Sequence, residues 1–283
     1  MGFNRKLWTE GIALIFPKLI LVFHCCFISL QWRWPAFVFL VYRLALAIYS
    51  ISIVIYSIFK SLDGEYPWPT QVTHWSYSIL TLHLVYSAII ALIHACRRSK
   101  RGKISTDTHP YGTLPDENPL GQKTTPEAEL PLYLKFDWFL FAIASGSAPV
   151  VTVVYWVYLA PDKGVPFLQN DSINEHLVNS VIVVLELAIS AIPVRLLHFV
   201  YLTAFAFTYA IFTVIYWAFD HKNIIYKSFT NWNQPTDSII RLAILMFVVA
   251  PVIQFMLFCV YQIRLIVYER LYHESYTRPA PMQ

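Results

Sequence analysis

Runs of about 20 apolar residues recur along the chain, the length that crosses a hydrocarbon core as a helix. In lipid a segment must satisfy its backbone N–H and C=O groups internally, so each such run is confined to a helix. Only 13% of the 283 residues are charged, against about a quarter in a soluble domain. The chain therefore reads as an all-α polytopic membrane protein, a bundle of six transmembrane helices preceded by a short re-entrant or interfacial helix. The spans are expected at Ala36–Phe59, Gln71–Cys96, Phe136–Ala160, His176–Val194, Phe199–Phe219 and Ile239–Arg264.

Three units follow. Residues 1–35 form a cytoplasmic or interfacial segment, because Leu19–Leu30 is apolar but too short to span and Pro17 interrupts it. Residues 36–264 form the membrane domain. Within it lies the longest polar stretch, 97–135, whose Pro, Gly, Thr and acidic composition cannot bury a core and is expected to be disordered. Residues 265–283 form a cytoplasmic tail.

Orientation comes from Lys and Arg. The N-terminal segment, the 97–135 loop, the turn at Arg195 and the tail with Arg264 at its border carry fifteen basic residues; the opposite loops carry five (Lys60, Lys163, Lys222, Lys227, Arg241). Both termini are thus expected in the cytoplasm, in the plasma membrane or an endomembrane. The sequon at Asn170, a possible glycosylation site, falls in a lumenal loop on this scheme. Arg97, Arg98, Lys100, Arg101 and Lys103 directly follow the second span, where they serve as a topology signal and can touch anionic lipid. Basic residues segregated beside spans give no reason to expect nucleic-acid binding; the expected partners are membrane lipids. Cys25, Cys26, Cys96 and Cys259 lie in or beside apolar segments without metal-ligand spacing, so no metal or other cofactor is expected.

Spans two and four run parallel and carry matching polar residues. Thr73, Ser76, His83 and Ser87 stand at offsets 0, 3, 10 and 14, as do His176, Asn179, Glu186 and Ser190. At 3.6 residues per turn these offsets share one helix face. If the faces meet, Thr73 comes to His176 at the lumenal mouth, and His83 comes to Glu186 about 15 Å deeper. Ionisable groups at that depth face a bundle interior and need partners. A threonine hydroxyl is a weak nucleophile that an adjacent neutral imidazole can activate, so Thr73 and His176 are the candidate catalytic pair. Ser76, His83, Asn179 and Glu186 are the supporting polar seam, and small polar residues of this kind also serve simply as helix-packing groups.

Five motifs carry a family resemblance: SLQWRWPAFVFLVYRLALAIY before and in the first span, VTHWSYSILTL opening the second, HLVNSVIVVLELAISAIPVRLLHFVYL through the fourth, YAIFTVIYW in the fifth and IIYKSFTNWNQP before the sixth. They make the chain similar to the rolling stone family of multi-pass membrane proteins. That family is distantly similar to the androgen-induced membrane threonine hydrolases, which cleave fatty-acid esters with a threonine and a histidine. The resemblance implies Thr73 for the threonine, with Thr81 of Leu80-Thr81-Leu82 as a rival. It implies His176, ten residues before Glu186, for the histidine. The residue after it is Leu177, where the hydrolases have threonine and rolling stone members have glycine.

Three function classes stay open. A non-catalytic role in membrane adhesion, fusion or signalling asks least of the residues and stands first. An intramembrane lipid-ester hydrolase with a Thr nucleophile and a His base is the alternative. A transporter, lined by Arg43, His83, Glu186 and Gln254, comes third, since neither an internal repeat nor paired broken helices are evident.

Overall fold

A computed structural model of the chain describes residues 32, 35–62, 67–102, 131–160, 170–222 and 224–273, with backbone alone for 98–102 and 170–172. The re-entrant helix expected within 1–35, most of the 97–135 stretch and the last residues of the tail lie outside the described residues, as do Cys25, Cys26 and Lys103. Among the described residues every regular element is helical. Five helices are long and apolar enough to cross a membrane: Ala36–Ser61, Val72–Arg97, Leu132–Leu159, Leu196–Phe219 and Pro235–Tyr272. The chain is an integral membrane protein of all-α architecture.

Helix α1 (Ala36–Ser61) shows how the sequence sets each face. Phe39, Arg43, Ala47, Ser50 and Ser57 are buried and fall on one stripe. Val41, Ile48 and Ile55 stay exposed, which in a membrane protein means facing lipid. Helix α2 (Val72–Gly102) packs antiparallel against α1 and is followed by α3 (Leu132–Val154), the hub of the bundle. Two-thirds (67%) of the apolar window of the α3 span is buried, against 22% for α1. Its Ala-Ile-Ala-Ser-Gly-Ser-Ala run makes that possible, since small residues let neighbouring helices close in. At Gly146 an added Cβ would stand 2.9 Å from Leu202 Cδ2. The helix runs unbroken past Gly146 and Pro149 and ends in a π-turn, Tyr155–Leu159.

The fourth crossing departs from the uniform helix expected over His176–Val194. It consists of α4 (Asn170–His176), a one-residue break at Leu177, and α5 (Val178–Ile189). Residues 191–195 then follow without regular structure. Pro193 explains why α5 stops at Ile189, because its ring cannot donate to the ladder and clashes with the carbonyl four residues back. Non-helical backbone is tolerated at membrane depth only where it is buried in protein and satisfied. Here Ala191, Ile192 and Val194 are buried, and side chains reach the freed carbonyls. Arg264 donates to Leu187, Ser190 and Ile192 carbonyls. Trp138 Nε1 donates to Pro193 O at 2.8 Å, and Gln254 Nε2 to Arg195 O at 2.7 Å. The segment starts beside Thr152 near one end of α3 and finishes beside Trp138 near the other, so it traverses the bundle despite its short helix.

Helix α6 (Phe199–Phe219) keeps the bounds expected of the fifth span. The last crossing joins α7 (Pro235–Ile244), a π-turn (Leu245–Val249) just before Pro251, and α8 (Ala250–Tyr272). Helix α2 continues through the basic run to Gly102, and α8 continues eight residues past 264 to Tyr272. Lys and Arg at a helix C-terminus favour the helical state, and neither segment holds a breaker before Gly102 or the left-handed His273 (φ 55°). Cys96 and Cys259 are free thiols.

Candidate functional site

Thr73 stands in the first turn of α2, and Tyr226 fixes that turn by accepting the Val72 N–H at 3.1 Å. Burial pushes the Tyr226 hydroxyl up to about 12, so it stays protonated in ordinary buffers. His176 closes α4. The helix break at Leu177 releases the His176 carbonyl, which accepts a hydrogen bond from Thr152 Oγ1 of α3. The His176 ring lies flat on Tyr155, centroids 3.5 Å apart and planes 11° apart. Thr152 and Tyr155 thus hold the histidine from α3, backbone on one side and ring face on the other.

So held, His176 Nδ1 lies 3.4 Å from Thr73 Oγ1, with both residues buried. This is longer than a tight O–H···N bond; catalytic hydrogen bonds of free enzymes are often long and shorten with substrate bound. Thr73 also lines a cavity walled almost wholly by apolar groups from α2, α3, α6 and the last crossing, among them Val151, Tyr155, Leu202, Tyr209 and Leu245. It leaves about 60 Å³ free to the centre of a water-sized sphere, where one such sphere takes roughly 10–15 Å³. The rival Thr81 shows no hydrogen-bond partner among the described residues. It stands eight residues further along α2, about 12 Å deeper.

One turn below the pair, Ser76 Oγ meets Ser147 Oγ of α3 at 2.8 Å, and Ser147 borders the same cavity. Asn179 Oδ1 accepts the Ser180 N–H at 2.7 Å, and the Asn179 side chain is fully buried. Below this level the seam stops. Position 7 of the shared face is Leu80 on α2 and Val183 on α5, both fully buried in the main apolar core. This apolar layer separates the mouth from a second polar cluster.

That cluster is larger than the His83–Glu186 pair read from the offsets. Arg43 Nη1 of α1 donates to Glu186 Oε2, and Tyr42 OH donates to Glu186 Oε1 at 2.8 Å. His83 Nε2 is 3.6 Å from Glu186 Oε2, an ionic distance rather than a hydrogen bond. The closer partner of His83 is Asp137, whose Oδ1 lies 2.9 Å from Nδ1, and Ser87 Oγ also reaches Asp137 at 2.8 Å. Arg43, His83, Asp137 and Glu186 are each at most 1% exposed. Asp137 escaped the sequence reading because it follows Lys135 at an expected span edge; an acid on the same stripe as Phe141 and Ala144 was the available signal. Among the described residues no His, Cys, Asp and Glu group is arranged to hold a metal ion.

The family model described as Protein rolling stone matches residues 2–279. The curated Protein rolling stone of Drosophila melanogaster is 24% identical over 220 residues, which cover 76% of this chain and 71% of that protein. No solved structure matches the chain.

Proposed function

The chain belongs to the rolling stone family, and we propose that it is an intramembrane lipid-ester hydrolase with Thr73 as nucleophile and His176 as base. One observation carries this reading. The Thr73 side chain belongs at once to a hydrogen bond with an imidazole and to the wall of an apolar cavity. A base 3.4 Å from the hydroxyl supplies what threonine lacks as a nucleophile. An apolar cavity is the surface an acyl chain would choose on leaving lipid. A purely packing role explains the hydrogen bond but not the open volume beside it. The cluster around Glu186, insulated by Leu80 and Val183, is the bundle's structural clamp in this account. The transporter reading would need that apolar layer to open.

The site's side of the membrane follows the Lys and Arg asymmetry. Both termini lie in the cytoplasm, and Thr73 and His176 open toward the lumenal or extracellular leaflet. The substrate then arrives laterally from that leaflet.

The test is hydrolysis of p-nitrophenyl octanoate by the purified chain in proteoliposomes. Wild type and Thr73→Ser should release nitrophenolate, while Thr73→Ala and His176→Ala should fall to the rate of empty vesicles. Equal rates for wild type and Thr73→Ala would return the chain to a non-catalytic role in adhesion, fusion or signalling.

A further inference from the structure

Half of one buried amide has no assigned work. Asn179 Oδ1 accepts the Ser180 N–H at 2.7 Å, with Thr152 Oγ1 a further 3.4 Å contact. Its Nδ2 has no hydrogen-bond partner among the described residues, although the side chain is 0% exposed. Flipping the amide would not repair this, because it would turn the NH2 group onto the Ser180 N–H, donor against donor. Buried polar groups in native structures are nearly always paired, and an orphan donor calls for a physical reason.

Position supplies the reason. Asn179 lies three residues beyond His176 on the inward face, about 4.5 Å deeper along the helix. At the same level on α2 stands Ser76, occupied by Ser147, which borders the cavity together with Thr73. The donor therefore lies one helical turn below His176 and above the apolar layer, on a residue whose Oδ1 faces Thr152, the same side chain that donates to the His176 carbonyl; the anchored Oδ1 holds it in place before any substrate arrives. Such a preorganised N–H in a water-poor site is what a developing oxyanion needs.

We propose that Asn179 Nδ2–H is the oxyanion donor for acyl transfer at Thr73, an inference that rests on the hydrolase reading. Thr73 Oγ forms a bond to the ester carbonyl carbon as its proton passes to His176 Nδ1. The carbonyl π-pair moves onto oxygen, where Asn179 Nδ2–H stabilises it. Collapse of this intermediate breaks the ester C–O bond, and the departing alkoxide takes the proton from His176. Water then adds to the acyl-threonine with His176 again accepting the proton. The same donor serves the second oxyanion before carboxylic acid and free Thr73 are released.

Asn179→Asp tests this, because it keeps an acceptor for the Ser180 N–H and removes the donor; Asn179→Ala removes both. Full-length wild type and both variants are compared in proteoliposomes with p-nitrophenyl octanoate, alongside the thermal midpoint in detergent. Loss of one oxyanion donor costs about 100- to 1000-fold in kcat. That loss is expected in Asn179→Asp per folded molecule with KM changed less than about threefold, while burial of the new carboxyl lowers the thermal midpoint. Active wild type with Asn179→Asp within about threefold of its kcat would overturn the donor role alone. A loss confined to KM, or one that merely tracks the folded fraction in both variants, would do the same. An inactive wild type would overturn the hydrolase reading and this inference with it.

Discussion

Removing Glu186 should destabilise the bundle severely, and removing Arg43 with it should restore most of the loss. Arg43 is 1% exposed; its Nη1 is bonded to Glu186, while Nε and Nη2 have no hydrogen-bond partner among the described residues. Glu186→Leu therefore strips the guanidinium of its acceptor inside the bundle and leaves the Tyr42 hydroxyl without one. Breaking a buried pair from one side costs about 3–5 kcal/mol, and this site belongs near the top of that range. Arg43→Met should cost nearer 3 kcal/mol, since Glu186 retains Tyr42 and the nearby His83. The double variant leaves no unpaired ion at the site and should lie within about 2 kcal/mol of wild type, because well-packed apolar replacements of buried pairs are often close to neutral. Reversible unfolding in mixed dodecyl maltoside and SDS micelles, followed by tryptophan fluorescence, measures all three. A double variant whose loss equals the sum of the singles would refute the pairing.

Arg264→Met should destabilise by about 3 kcal/mol or more, since hydrogen bonds from a charged donor contribute roughly 1.5–3 kcal/mol each and Arg264 serves three carbonyls of the broken crossing. Hydrogen exchange at 187–195 should rise with it; unchanged protection there would contradict the clamp. Tyr226→Phe should cost about 1–3 kcal/mol through the Val72 N–H it leaves bare, and should slow hydrolysis by displacing Thr73. Because the folded Tyr226 pKa lies above its ordinary value, the folded state holds the proton more tightly. Wild-type stability should therefore fall as pH rises from about 10 toward 12, a loss that Tyr226→Phe should reduce. Lys222→Cys, at an exposed position, should react from outside intact cells with a membrane-impermeant maleimide if the protein is at the cell surface. Labelling only after permeabilisation, with the C-terminus reactive from outside, would reverse the orientation.

The crossings were legible because their apolar length and inward polar stripes are local properties of the sequence. The bounds of α6 could be read directly, since aromatic and apolar residues fill it and polar turns close both ends. Equal offsets on parallel helices put Thr73 beside His176 and His83 near Glu186, but Ser76, Ser87 and Asn179 turn to α3 instead, because α3 is the hub between the two faces. The broken crossing was harder, although Pro193 announced it. The residue that makes the break tolerable, Arg264, lies 71 positions later and reads locally as a span-ending cation. Asp137 was hidden in the same way, because a charge near an expected border looks interfacial until a neighbouring helix brings His83 and Ser87 to it. The apolar cavity could not be read at all. It arises between α2, α3, α6 and the last crossing, and no single segment encodes a volume left unfilled.

Activation of the Thr73 hydroxyl can be measured directly. Membranes holding wild type, Thr73→Ala or His176→Ala are treated with a fluorophosphonate probe, and the modified peptide is identified by mass spectrometry. One adduct is expected on wild type, at Thr73, absent from both variants while each stays folded and inserted. A folded wild type that takes up no probe at Thr73, or that labels equally without His176, would contradict it.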